Sequence, residues 1–328
     1  MAFSESPVVL SLLLLNIFGV WVIAQPGLAY QTPKHPSALV PSASTQLQYH
    51  RGPLLTSPIN VYLVWYGAFS PADKSAISDF FASFDLSPAT APHGKQTVST
   101  WWKTAQRYRD TGGRPVSSAV KLAGHVSDPG CSLGKSLKRA DVSSLARNAV
   151  LKQLLPYDAG GVYLVLTAAD VTVERFCMGS CGFHGTVTIF PGRPVAVVAH
   201  VGNAATQCPG LCAWPFAVPA YGPPGPPLVA PNGVGADGVV MNVATVLTGA
   251  ATNPRGNGYY QGDALAPLEA VTACPGVFGE GAYPGYPGQL MVDPKSRASF
   301  NAYGAQARMF LLPAMWDPSS FACNVSGA

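Results

Sequence analysis

Long apolar runs and apolar positions at helical spacing divide most of the chain into strands and helices. Residues 59–66 (INVYLVWY), 161–167 (GVYLVLT) and 195–201 (VAVVAHV) are rich in β-branched and aromatic side chains, which favours buried strands. Strands that alternate with helical segments are typical of α/β or α+β proteins. We therefore predict a single domain with a mixed sheet, flanked by helices and long loops.

Capping residues mark the boundaries of the predicted helices, which begin at residue 71 and cover residues 100–108, 141–155 and 237–252. Ser70 is the expected N-cap of the first helix and Pro71 its first residue. Asp237 is the expected cap of the last one, and Pro254 ends it. That last helix carries small and apolar residues and none of the His, Glu or Cys side chains that catalysis would use.

The N-terminus predicts secretion. Residues 8–24 (VVLSLLLLNIFGVWVIA) form an apolar run that ends in small residues, as in a signal peptide cleaved after Ala24 or Ala29. The alternative is an uncleaved signal anchor. No later stretch is predicted to span a bilayer, so we expect no stable membrane anchor after cleavage. The predicted organisation is a signal peptide at 1–24, a Pro- and Ser-containing segment at 25–46, a globular domain at 47–323 and a tail at 324–328.

Composition narrows the class of protein. Charged residues make up only 11% of the chain, whereas 34 Gly and 31 Pro indicate many turns and long ordered loops. The hydrophobic fraction of 48% excludes a disordered chain. The net charge of +4 is spread without a basic run, so we expect no nucleic-acid partner. Weak attraction to acidic polysaccharide is compatible with that charge.

Seven cysteines follow the signal segment, and an odd number in a secreted chain predicts one unpaired thiol. Cys177 and Cys181, like Cys208 and Cys212, are separated by three residues. These four can pair locally or across the two motifs, three connectivities that the sequence does not separate; a zinc site is a minor alternative. Cys274 and Cys323 form the late pair, which leaves Cys131 as the free thiol.

Nine segments together resemble the EXORDIUM and phosphate-induced protein family of plants. They are residues 49–55, 61–67, 99–104, 132–137, 166–171, 176–185, 202–216, 253–262 and 282–286. The resemblance implies a secreted protein of the apoplast or cell wall, connected with cell expansion and with growth that responds to brassinosteroid or nutrients. It implies no settled molecular activity. The chain departs from the family at two positions: Cys131 stands where the family usually has no cysteine, and His200 stands where an aromatic residue is more usual.

A fainter resemblance connects the predicted helix at 237–252 with secreted zinc peptidases, in which a ligand helix precedes a turn like Thr252-Asn-Pro. Thr245, Val246 and Gly249 stand where histidine and glutamate would be needed. Without those side chains the helix cannot hold zinc or activate a water molecule. We expect neither a metal nor any other cofactor, and we treat the zinc-peptidase likeness as one of fold alone.

The loops between residues 253 and 288 are the predicted binding surface, because flat aromatic rings and polar groups of this kind contact sugars or peptides. The candidate residues are Tyr259, Tyr260, Tyr283, Tyr286, Arg255 and Asn257. The alternative is that these tyrosines pack against their own loops. The expected partner is cell-wall polysaccharide or an extracellular receptor.

The sequence favours a non-enzymatic growth regulator, so no catalytic residue is assigned. The alternative is a cell-wall hydrolase with an unrecognised active site, for which the candidate residues are His184, Asp237 and Glu269. Asn324 begins a glycosylation sequon, Asn-Val-Ser, near the C-terminus.

Overall fold

A computed structural model describes residues 46–87, 89, 95–222, 225–264 and 266–326. The predicted signal peptide lies outside these residues, as does the 25–46 segment apart from its last residue. The helices are α1 (Pro71–Ala82), α2 (Val98–Trp101), α3 (Arg139–Leu151), α4 (Pro209–Cys212) and α5 (Val234–Thr252). The strands are β1 (Gln48–Tyr49), β2 (Ile59–Tyr66), β3 (Val120–Asp128), β4 (Ser136–Leu137), β5 (Val162–Thr167), β6 (Thr172–Val173), β7 (Gly182–Val187), β8 (Ala196–Gly202), β9 (Tyr259–Tyr260), β10 (Met291–Val292), β11 (Ser299–Phe300), β12 (Ala302–Tyr303), β13 (Met309–Phe310), β14 (Met315–Asp317) and β15 (Ala322–Asn324).

A five-stranded sheet with the order β3-β2-β5-β8-β7 forms the centre of the fold. β3, β2, β5 and β8 are parallel, and β7 runs antiparallel along the edge beside β8. The three predicted strands are β2, β5 and β8, and their continuous apolar character fits strands that are covered on both faces. The prediction of a mixed sheet flanked by helices in a single α/β domain is confirmed.

Helices cover both faces of this sheet and create two cores. On one face, Leu63 of β2 belongs to a core that includes Phe80 of α1 and Val243 of α5. On the other face, Val64 of the same strand belongs to a core that includes Ala146 of α3. This division follows from the period of two in a strand, which sends neighbouring side chains to opposite faces.

Helix α1 begins as predicted, but the helix predicted at residues 100–108 is shorter than expected. Ser70 caps α1 by accepting a hydrogen bond from the Asp73 backbone amide at 3.0 Å, and Pro71 is its first residue. The second segment is only the four-residue α2, followed by a short 3-10 turn at Ala105–Arg107. The indole groups of Trp101 and Trp102 are buried and donate to distant backbone carbonyls, so tertiary contacts override a regular helix here.

Helix α5 differs from its prediction at the start. It begins at Val234, and Asp237 therefore lies within the first turn instead of capping it. It ends at Thr252, before Asn253, as expected. In length and hydropathy α5 would suffice to cross a membrane, so the expectation that no later stretch meets this criterion was wrong. Most of α5 is buried, and it packs against β7 and β8 as a core helix.

The remaining strands form two-stranded ladders: β1 with β9, β4 with β6, β10 with β11, β12 with β13 and β14 with β15. Four of these five ladders involve the chain that follows α5, where turns connect short strands. This arrangement is what a high content of glycine and proline favours. The predicted binding loops lie in this part of the chain and contain both buried and exposed residues.

Candidate functional site

Three disulfide bonds are present. Cys177 is bonded to Cys208, and Cys181 to Cys212, so the two motifs are cross-linked to each other. This pairing selects one of the three connectivities that the sequence left open and occupies the four sulfurs that a zinc site would need. The third bond joins Cys274 to Cys323 and ties β15 to the loop after residue 270.

Two of the six predicted binding residues, Tyr259 and Tyr260, pack against other rings of the chain. The ring of Tyr259 stacks on Tyr49 with centroids 4.5 Å apart, and its hydroxyl donates to the Arg109 carbonyl at 3.0 Å. Burial raises the pKa of Tyr259. The Tyr260 ring stacks on His50 at 3.8 Å. These tyrosines therefore pack against residues 49 and 50, as the alternative to a binding role anticipated.

Arg255 and Asn257 lie beside those tyrosines. The backbone carbonyl of Asn257 accepts a hydrogen bond from Gly52 at 2.7 Å, which fixes the loop against the segment after β1. Arg255 is exposed and lines a shallow pocket of about 190 Å³ together with Thr186 of β7. Both residues are exposed, and Arg255 lines a different pocket from Tyr286.

Tyr283 and Tyr286 are presented by a tight turn. Each backbone amide donates to the other residue's carbonyl, at 3.0 and 2.8 Å, with Pro284 and Gly285 between them. Gly285 has φ of +90°, which a type II turn requires at this position and which glycine adopts without strain. The two rings lie 5.1 Å apart and are 65% and 36% exposed. This turn keeps two aromatic rings together in solvent.

Beside this turn lies an apolar cleft of about 340 Å³. Its lining is Trp214, Pro215, Ala217, Pro219, Gly225, Pro226, Leu228, Gly285, Tyr286, Pro287, Gly288, Leu290, Val292 and Ser299. Trp214 is half-buried against Phe278, with ring centroids 6.0 Å apart. The cleft volume lies in the range of about 300–1,000 Å³ that is typical of small-molecule sites.

Trp214 was not among the predicted binding residues. It follows the second cysteine motif by two positions, and the sequence alone identified it only as part of a segment shared with the family. Its role in the cleft depends on contact with residues more than sixty positions further along the chain. An aromatic residue two positions after a cysteine and directly before a proline was the available signal.

His184 and Glu269 are brought together, although 85 residues separate them. Nε2 of His184 lies 2.9 and 3.0 Å from the two carboxylate oxygens of Glu269, and Asn253 Nδ2 donates to the same carboxylate at 2.7 Å. Gly249 of α5 makes this approach feasible, since a Cβ there would lie 2.4 Å from the carboxylate. A histidine oriented by a carboxylate is an arrangement that general acid–base catalysis also uses.

Asp237, the third candidate of the hydrolase alternative, lies near the opposite end of α5. Twelve residues separate it from Gly249, which corresponds to about 18 Å along a helix. Its carboxylate accepts hydrogen bonds from the backbone amide and the side chain of Asn232, at 2.7 and 2.8 Å. Burial raises the pKa of Asp237 to about 6, although these hydrogen bonds and Arg308 oppose the shift. Asp237 thus holds the segment before α5 and is separate from the His184–Glu269 pair.

His200 is buried in β8, where Thr167 is its hydrogen-bond partner at 3.0 Å. Burial, with a smaller contribution from Arg139, lowers its pKa to about 3. The side chain is therefore neutral at physiological pH.

Cys131 is the free cysteine and is buried, which raises the pKa of its thiol. Asn324 lies in β15, where its side-chain oxygen accepts from the Ser326 amide at 2.8 Å, and its glycosylation stays a prediction. Within the described residues, no three His, Cys, Asp or Glu side chains cluster closely enough to hold a metal ion.

The sheet, the disulfides and the cleft define a disulfide-stabilised α/β protein with an exposed aromatic cleft. A family model described as the phosphate-induced protein 1 conserved region matches residues 47–326, and the chain belongs to this family. The resemblance seen in the sequence segments is thereby confirmed.

Named relatives cover nearly the whole chain. Protein EXORDIUM of Arabidopsis thaliana is 48% identical over 291 residues, which are 87% of this chain and 90% of that protein. Protein PHOSPHATE-INDUCED 1 of Nicotiana tabacum is 47% identical over 293 residues, covering 88% and 91%. No solved structure matches the chain. The zinc-peptidase likeness therefore has no support from known structures.

Proposed function

We propose that the chain acts outside the plant cell, in the apoplast or cell wall, as a non-enzymatic binding protein. In this role it regulates cell expansion and growth in response to brassinosteroid or nutrients. The disulfide bonds and the similarity to Protein EXORDIUM support an extracellular plant protein. The proposed partner is cell-wall polysaccharide, and an extracellular receptor is the alternative.

The observation that carries the binding role is the cleft between Trp214 and Tyr286. Two neighbouring exposed aromatic rings on an ordered turn beside an apolar cleft form a patch of the kind that marks binding sites. In the packed part of the same loops, Tyr259 contacts other rings of the protein, whereas Tyr286 leaves more than a third of its surface exposed. The contrast favours the cleft as the contact surface.

The proposal is tested by expressing the tagged full-length chain in plant tissue and measuring its recovery from the wall fraction together with epidermal cell length. The wild type should be retained in the wall and lengthen cells, and Tyr286→Ala should reduce both effects. Phe321→Ala is the matched control, because Phe321 is 64% exposed but lies outside the cleft lining. Intracellular retention, or equal wall binding and cell length with Tyr286→Ala, would contradict the proposal.

The second candidate function is hydrolysis of a wall polymer, which the contact between His184 and Glu269 favours. In that case Glu269→Gln would abolish the release of reducing ends or peptide fragments while the fold stayed intact. A binding protein would keep its wall retention and growth effect in the same variant. Measuring both activities on one preparation separates the two functions.

A further inference from the structure

The cleft between Trp214 and Tyr286 carries no charge. None of its lining residues is acidic or basic, although the whole chain has a net charge of +4. Moving a carboxylate into such a lining without a cationic partner is unfavourable. The lining therefore disfavours uronic-acid polymers and favours a neutral ligand.

Three side chains of the cleft lining carry polar groups, those of Trp214, Tyr286 and Ser299. Trp214 Nε1, the Tyr286 hydroxyl and the Ser299 hydroxyl make no hydrogen bond within the part of the chain that the structure describes. The indole only donates, whereas each hydroxyl both donates and accepts. Sugar hydroxyls have the same dual capacity, which a proline-rich peptide backbone lacks because proline has no amide hydrogen.

The aromatic rings of the cleft can contact the apolar faces of a sugar. A pyranose ring in a β-linked hexose polymer has apolar C–H faces that can stack on a flat aromatic surface, while its hydroxyls point outward around the rim. The half-buried Trp214 and the more exposed Tyr286 offer such surfaces. The rest of the cleft lining includes prolines 215, 219, 226 and 287, which make it apolar and conformationally restricted.

We infer that the Trp214–Tyr286 cleft binds a neutral hexose polysaccharide by stacking sugar rings on these aromatic side chains and hydrogen bonding at their polar ends. This inference rests on the proposed function, because it names the class of wall polymer that the function leaves open. A proline-rich wall glycoprotein is the competing occupant, and its binding is an outcome of the test.

The test measures binding of the purified, disulfide-intact protein to cellohexaose, to an oligogalacturonate of similar length and to a polyproline peptide by calorimetry. Cellohexaose should bind most tightly. Trp214→Ala and Tyr286→Ala should each weaken its affinity at least tenfold, with unchanged melting temperature for Tyr286→Ala. Phe321→Ala should bind like the wild type. Tyr286→Phe, which removes only the hydroxyl, gives a gentler variant in case the larger truncations disturb the fold.

The outcomes separate this inference from the proposed function. Preferential binding of oligogalacturonate would overturn the neutral-ligand inference and leave wall-polysaccharide binding intact. Preferential binding of polyproline, or cellohexaose affinity that is unchanged in all the cleft variants, would overturn the assignment of this cleft to a glycan. Absence of binding to all three probes, together with no retention on isolated cell walls, would overturn both proposals.

Discussion

Asp237 and His200 are two buried ionisable side chains whose pKa values are shifted in opposite directions. Burial raises the pKa of Asp237 from 3.8 to about 6. Burial lowers the pKa of His200 from 6.5 to about 3. Both groups are therefore neutral in the folded chain near pH 5, where each would be charged in the unfolded chain. This opposition has a measurable effect on stability.

The sign of each effect follows from counting protons between pH 6 and pH 4. Folded Asp237 binds a proton that the unfolded chain has released, so acidification stabilises the fold, by at most about 1.4 kcal/mol per pH unit. Unfolded His200 holds a proton that the folded chain excludes, so acidification destabilises the fold, again by at most about 1.4 kcal/mol per unit. The two contributions largely cancel, and the wild-type free energy of unfolding should change little across this interval.

Single substitutions remove the cancellation. In Asp237→Asn the free energy of unfolding should fall by about 2.5 kcal/mol between pH 6 and pH 4, because the His200 contribution is unopposed. In His200→Phe it should rise by about 2 kcal/mol, and the double variant should again be nearly flat. Other shifted carboxylates, such as Asp293, have lowered pKa values and titrate below this interval. Asp293→Asn is therefore the matched control.

Equilibrium urea unfolding at pH 6, 5 and 4, followed by circular dichroism on the disulfide-intact protein, measures these slopes. The pH dependence is the readout, since Asp237→Asn also alters a hydrogen-bonded turn and lowers stability at every pH. A flat profile for Asp237→Asn, or parallel slopes in the two single variants, would refute the assignment of opposite shifts to these buried groups.

Two further changes test the covalent and steric features of the fold. Replacing both Cys274 and Cys323 by serine should lower the free energy of unfolding by about 4 kcal/mol, the loop-closure value for a bridge of this span, with urea unfolding as the measurement. Gly249→Ala should destabilise the fold by about 1–3 kcal/mol, because the added methyl group displaces the Glu269 carboxylate. Gly185→Ala is the control and should be tolerated, because a methyl group there meets open space. Equal melting temperatures of the two variants in thermal unfolding would contradict this steric argument.

The central strands could be predicted because their burial is visible in the local sequence. β2, β5 and β8 are covered on both faces and therefore appear as continuous apolar runs. β3 was not predicted even though half-buried and exposed residues alternate along it, and β7 was not predicted because two of its six residues are glycines. The edge position of β7 depends on pairing with β8, which no local pattern expresses.

The candidate site was less predictable, because exposure and long-range contact decide it. The sequence did not distinguish among the four predicted binding tyrosines at positions 259, 260, 283 and 286. In the structure, Tyr259 packs against Tyr49, whereas Tyr286 borders the cleft. His184 and Glu269 were named together only as members of a wider set that included Asp237. The sequence identified residue types suited to a site, and the packing of distant segments determined which of them meet.

The disulfides and the cleft are connected through the chain itself. Cys212, bonded to Cys181, precedes Trp214 by two residues and so anchors one wall of the cleft. The bond of Cys274 to Cys323 anchors the loop that leads to Tyr286 and the other wall. Covalent links at both walls limit the conformational freedom that binding would otherwise have to remove, which favours affinity. These two disulfide bonds thus serve more than the stability of a loop-rich chain, because they also restrain the two segments between which we place the ligand.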